Sequence, residues 1–296
     1  MAKLNDQYKD RLFNFIFGRN ENRLWTLQLY NAVNRSHYQD PDQIQITTIR
    51  EVLYLGMHND ISFILTDEMN LYEQQSTYNP NMPVRQLQYC SSLYEKYIKE
   101  HKLNKYGSSL MRLPVPHLVV FYNGRQEEPD EKIIRLSDSF PKGAESDIEV
   151  RVRMVNINFG RNQELLCACE PLREYAWFVA RIRSKAGLMG IEKAVDEAVS
   201  SMPEDYVLKS FLESNRAEVK GMMETEYNEA ETMNLFREEG RAEGRAEGRA
   251  EGKSEGMDVL SRLIAILIQK QDIDSLKKIT IDKAERDILL RKYHLV

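Results

Sequence analysis

Cysteine is scarce in this chain, and long apolar runs are missing. Its three cysteines, Cys90, Cys167 and Cys169, are an odd count in 296 residues. They offer no disulfide framework and suit a reducing compartment. No stretch approaches the roughly 18 apolar residues that cross a bilayer, so no membrane partner is expected. The opening MAKLNDQYKDRLFNF lacks the basic, apolar, small-residue order of a secretion signal, so the cytoplasm is the expected compartment. Zinc chemistry has little support. Cys167 and Cys169 form a C-x-C with no second pair at ligand spacing and read as small core residues, and the five histidines make no H-x-x-x-H pattern. No G-x-x-x-x-G-K-[ST] loop indicates ATP hydrolysis. Positive charge is not in excess either: 41 Lys and Arg face 46 Asp and Glu, a net charge of −5. Binding to nucleic acid, which draws on cations that neutralise phosphates, would need a local basic patch. Arg151, Arg153, Arg161, Arg173, Arg181, Arg183 and Lys185 either form such a patch or lie on ordinary solvated faces.

The apolar pattern describes a small α/β domain. Residues 7–33 read as helical, with a break around Gly18–Asn22. IQITTI (44–49) alternates as a strand. DISFILT (60–66) and LYEQQS (71–76) form the best hairpin candidate, joined by the turn DEMN (67–70). Asn81 and Pro83 then carry helix-start signals. The helix that follows runs to about His101, with Val84, Leu87, Cys90, Tyr94, Tyr97 and Ile98 as its apolar stripe. HLVVFYN (117–123) is nearly continuous in apolar residues and reads as a buried central strand. IEVRVRMVNI (148–157) predicts one more strand, and after Pro171 the chain turns helical. The expected fold is a small mixed sheet flanked by helices over residues 1–200.

From residue 203 the composition becomes charged and helix-prone. A charged helical arm, 203–256, ends in the repeat EGRAEGRAEGRAEGKSEG (239–256). The repeat stacks like charges at i,i+4, and each glycine costs about 1 kcal/mol against alanine in a helix. A flexible or marginally helical linker is expected there. Residues 257–296 read as short amphipathic helices striped by Leu260, Leu263, Ile264, Leu267 and Ile268. This helical region is where a homo-oligomer contact is expected.

The hairpin carries the chemistry. With the turn at 67–70, Thr66 pairs with Leu71, Ile64 with Glu73 and Ser62 with Gln75. Strand alternation then sends Asp60, Ser62, Glu73 and Gln75 to one face, and Ile61, Phe63, Leu65 and Tyr72 to the core. A slip of one residue would scatter the acids. Two converging carboxylates are what a hard divalent cation needs, and such an ion activates water and stabilises charge on a phosphate. As a bare pattern the same residues are ordinary surface carboxylates on a half-solvated strand pair.

The stretch NDISFILTDEMNLYEQQSTYNPNMPVRQLQY, continuing through HLVVFYNG, resembles the recombination-promoting nucleases, a branch of the PD-(D/E)XK (restriction-endonuclease-like) superfamily whose members are also labelled transposases. The likeness extends, with gaps, to about residue 200. It implies a DNA endonuclease using Mg²⁺ or Mn²⁺, with Asp60 and Glu73 as metal ligands and the Gln74 backbone carbonyl as a further one. Gln75 stands where the wider superfamily has a lysine, and a neutral amide brings no positive charge. Arg85 and Tyr89, one helical turn apart, are implied beside the site as a phosphate contact; a solvated surface pair is the plainer reading. Asp10 is a candidate extra acid from the first helix, or part of a wet face with Lys9 and Arg11. A second reading keeps the fold as a catalytically weak or inactive module that binds DNA or another protein.

Overall fold

In the computed structural model, residues 12–47 and 61–295 are described, with backbone alone over 226–240 and over much of 242–255. Two compact units are present, one up to Glu231 and the other from Thr232. The first is an α/β unit built on a six-stranded mixed sheet of order β1-β2-β3-β4-β6-β5. The strands are β1 (Gln45–Ile46), β2 (Ile61–Leu65), β3 (Glu68–Gln75), β4 (Val115–Tyr122), β5 (Glu131–Arg135) and β6 (Arg151–Asn156). β2 and β3 form an antiparallel hairpin, whereas β3, β4 and β6 run parallel. The apolar run of β4 accordingly lies between two parallel neighbours, as expected.

One face of the sheet is covered by α1 (Leu12–Phe17), α2 (Arg23–Asn34), α4 (Gln163–Ala168) and α5 (Glu170–Met189). Their apolar side chains bury Ile61, Phe63, Leu65, Tyr72, Val119 and Phe121. The core face predicted for β2 and β3 is therefore the observed one. Phe121 has no exposed surface and packs its ring against Tyr72 (5.3 Å) and Phe13 (5.1 Å). On the opposite face lies α3 (Met82–Glu100), whose Tyr89, Cys90 and Leu93 pack on Ile64, Met69 and Leu71. The stripe expected for α3 is corrected here. Val84 and Leu87 are each 38% exposed, while Gln86 and Tyr89 turn inward. The helix stands over a polar patch of the sheet, so polar side chains occupy part of its inner face.

The hairpin turn is also corrected. It has two residues, Thr66 and Asp67, not four, with Thr66 at a left-handed φ of 55°. Leu65 pairs with Glu68, Ile64 with Met69 and Ser62 with Leu71. The shorter turn keeps Glu68, Met69 and Asn70 in the ladder and buries Met69. It also lets Tyr30 donate to Glu68 Oε2 at 2.5 Å. The partner of Ile64 moves from residue 73 to residue 69, a shift of four. An even shift leaves every side chain on its expected face.

The helices α6 (Ile191–Ser200) and α7 (Lys209–Ser214) complete the unit's helical set before the long helix α8 (Arg216–Gln269). Glu174 of α5 is fully buried and accepts the backbone N–H groups of Val207 (3.0 Å) and Leu208 (2.8 Å). Burial raises its pKa, Glu170 pushes the same way, and Arg173 and the two N–H donors oppose it. A carboxyl with a raised folded pKa keeps its proton where the unfolded chain has lost one. Stability therefore falls as pH rises from the usual carboxylate range through the raised value. Glu174→Gln should flatten that fall, which denaturant midpoints measured across the acid range will show; an unchanged slope would refute the assignment.

Helix α8 continues through residues 239–256, so of the two expected states of the repeat the backbone takes the helical one. In the second unit, Leu263 and Leu267 of α8 pack with Ile279 of α9 (Ile273–Ile281) and Leu289 of α10 (Lys283–Lys292). Ile268, expected in the stripe, is largely exposed. Among the described residues no helix is long and apolar enough to cross a membrane.

Candidate functional site

Side chains alternate along β3, so Leu71, Glu73 and Gln75 share the α3 face while Gln74 turns to the other. Glu73 is a carboxylate in the middle of the sheet, paired in register with Val120 of β4 and only 1% exposed. Burying a charge is costly unless it is paired and hydrogen-bonded. Three side chains supply that pairing. Gln75 Nε2 donates to Glu73 Oε1 at 2.8 Å, Gln86 Nε2 approaches Oε2 at 3.4 Å, and the Arg85 guanidinium forms an ion pair with Oε1 through Nη2. Arg85 Nη2 also contacts Tyr89 Oη at 3.1 Å.

Glu73, Gln75, Arg85 and Tyr89 thus come together as one cluster, and the i,i+4 relation of Arg85 and Tyr89 is what aims both at β3. The Arg85 side chain keeps 29% of its surface exposed, so the cluster has one edge in solvent. Asp60 and Asp10 lie outside the described residues. Among the described residues no group of three His, Cys, Asp and Glu side chains is placed to hold a metal ion. Gln86 is the member that sequence reasoning missed. A glutamine beside Leu87, which the expected stripe turned inward, resembles a surface residue, and only the rotation of α3 buries it.

The parallel strands end beside this cluster, and a second polar group caps them. Asn123, which follows β4, donates its backbone N–H to Gln75 O at 2.9 Å. Arg183 of α5 donates to Asn123 Oδ1 at 2.7 Å, to the Asn123 carbonyl, and to Asn158 Oδ1 at 3.4 Å. Asn158 in turn donates to Gly124 O at 3.1 Å. Gly124 is required by close approach: a Cβ there would lie 2.5 Å from Ser76 O and 2.4 Å from Tyr122 Oη. Strand ends β3 and β4 are locked together at that point.

Arg183 is consequently neither a solvated-face residue nor a free phosphate ligand. Arg153, Arg161, Arg173 and Arg181 pair with Glu131, Glu127, Glu170 and Glu197, which drains positive charge from the patch proposed from sequence. Cys169 is buried, which pushes its thiol up to about 12, whereas Cys167 is exposed rather than in the core. The chain matches no family model, no curated protein and no solved structure among those compared.

Proposed function

We propose that the chain is a divalent-metal-dependent DNA nuclease of the PD-(D/E)XK type, acting in DNA recombination or on mobile elements in the cytoplasm. The observation that carries this reading is the buried Glu73 carboxylate, oriented by Gln75 two residues on and by Arg85 from the next helix. A side chain locked by several donors is preorganised, as a metal ligand must be. Its single charge is already offset by Arg85, so a dication fits only with another anionic donor, the place assigned to Asp60. Asp60 precedes Ile61 in the chain, and Ile61 pairs with Tyr72, the neighbour of Glu73.

In this reading Asp60 and Glu73 hold Mg²⁺ or Mn²⁺, with the Gln74 backbone carbonyl beside them. A bound ion of this kind supplies an activated water and offsets charge on the scissile phosphate. Gln75 keeps the Glu73 carboxylate in place and cannot bring the charge of a lysine. Arg85 brings it instead, from a position with one solvent-facing edge where a phosphate can be met. Tyr89 holds the guanidinium on that edge.

One observation favours the second reading, a fold kept for binding DNA or a protein: the Arg85–Glu73 pair is self-sufficient without any ion. Supercoiled plasmid incubated with the full chain and Mg²⁺ or Mn²⁺, beside Asp60→Ala, separates the two. Nicking by the parent and not by the variant is expected. Equal cutting by both, or cutting by neither, would remove the catalytic assignment and leave the binding module, which a gel-shift assay then tests.

A further inference from the structure

On the face of the sheet away from Glu73, a cavity of about 420 Å³ opens between the end of α2, residues 35–39, α4 and the β5–β6 edge. That volume falls within the roughly 300–1,000 Å³ of small-ligand sites. Among the described residues no Phe, Tyr or Trp lines it, and only the His37 ring and the arginine planes remain for a nucleobase to stack on. Its charged lining consists of Arg35, Arg153, Glu131 and Glu164, two of each sign. A balanced lining of this kind favours neither a phosphate nor a polyamine.

The two ion pairs differ in strength. Arg153 and Glu131 are joined by two hydrogen bonds, Nη2 to Oε1 at 2.7 Å and Nε to Oε2 at 3.2 Å, and Arg153 Nη1 is anchored on Val33 O at 2.9 Å. They form a fixed wall. Arg35 and Glu164 meet at 3.1 Å with side chains 80% and 79% exposed. An exposed pair of that sort is held by little free energy and exchanges partners readily. Arg35 also occupies the left-handed position that closes α2, at φ 52°, where glycine is the usual residue. Its side chain lines the cavity and meets Glu164 of α4.

We propose that this cavity binds a small zwitterion of amino-acid or dipeptide size. The ligand carboxylate takes Arg35 and its ammonium takes Glu164. Each charge of the mouth pair finds a new partner, so no ion is left bare. The site shares no residue with the Glu73 cluster and stands independently of the nuclease reading.

The probe is glycylglycine, with N-acetylglycinamide as a partner of similar size that keeps amide N–H groups and carries no charge. Calorimetric titration of the full chain should give saturable binding of glycylglycine and none of the neutral compound. Arg35→Gln and Glu164→Gln should each weaken binding about tenfold or more, the loss of one charge-assisted hydrogen bond. Because both side chains are exposed, Tm without ligand should stay unchanged in these variants. The proposal is overturned by absent glycylglycine binding, by equal binding of N-acetylglycinamide, or by full binding in Arg35→Gln and Glu164→Gln.

Discussion

Glu73→Gln is expected to abolish metal-dependent plasmid cleavage while leaving the protein folded. The substitution keeps shape and one acceptor oxygen, so the amide network of Gln75 and Gln86 persists in part. What it removes is the negative charge. Partners one step away from a metal typically cost 10–100-fold in activity or affinity when removed, and a direct ligand should exceed the upper end, about 100-fold or more. Stability responds less. The Arg85 guanidinium loses its counter-ion, but its 29% exposed side chain can turn to water. Plasmid nicking rates with Mn²⁺, read beside a thermal melt, check both halves. Parent-like cleavage by a folded Glu73→Gln protein would remove Glu73 from the site, and with it the main support for the nuclease reading.

The largest effect on stability is expected from Phe121→Ala. Phe121 lies near the C-terminal end of β4, a central strand of the sheet, fully buried against the Phe13 and Tyr72 rings. Deleting a buried phenyl group typically costs about 3–5 kcal/mol in lost transfer energy and residual cavity. For a unit of this size that lowers Tm by roughly 10 °C. Rings held between the sheet and the packed helices collapse poorly into the gap, which keeps the expectation within that range. A differential scanning experiment decides it: a drop of less than about 3 °C, the equivalent of roughly 1 kcal/mol, would mean that the α1–β3–β4 aromatic cluster is not the packing centre of the sheet.

Much of the arrangement was readable in advance, for reasons that differ from element to element. The run HLVVFYN marks a central strand because parallel strands are covered on both faces, and its composition shows it directly. The faces of β2 and β3 were right although the turn was wrong by two residues, since alternation has a period of two and the error in register was even. β5 was missed: EKIIR is short, lies at the sheet edge, and is half exposed, so its apolar pattern is too brief to stand out. The inner face of α3 was misjudged because a periodic stripe assumes an apolar partner. Here the partner is a charged strand residue, and Gln86 and Arg85 answer it.

The candidate site divides in the same way. The sequence by itself determined which residues share a face, Glu73 with Gln75 on β3 and Arg85 with Tyr89 on α3, because both groupings follow from the periods of strand and helix. It also set the α/β class, through one buried strand, one hairpin and amphipathic helices. Only the tertiary structure decided that these two faces meet, so that Arg85 neutralises the Glu73 carboxylate. It alone brought Arg183 from 60 residues away in the chain to Asn123, and set the Arg35–Glu164 pair at a cavity. Local periodicity is a property of backbone geometry and can be read along the chain, whereas burial of a charge depends on which distant segment arrives to pair with it.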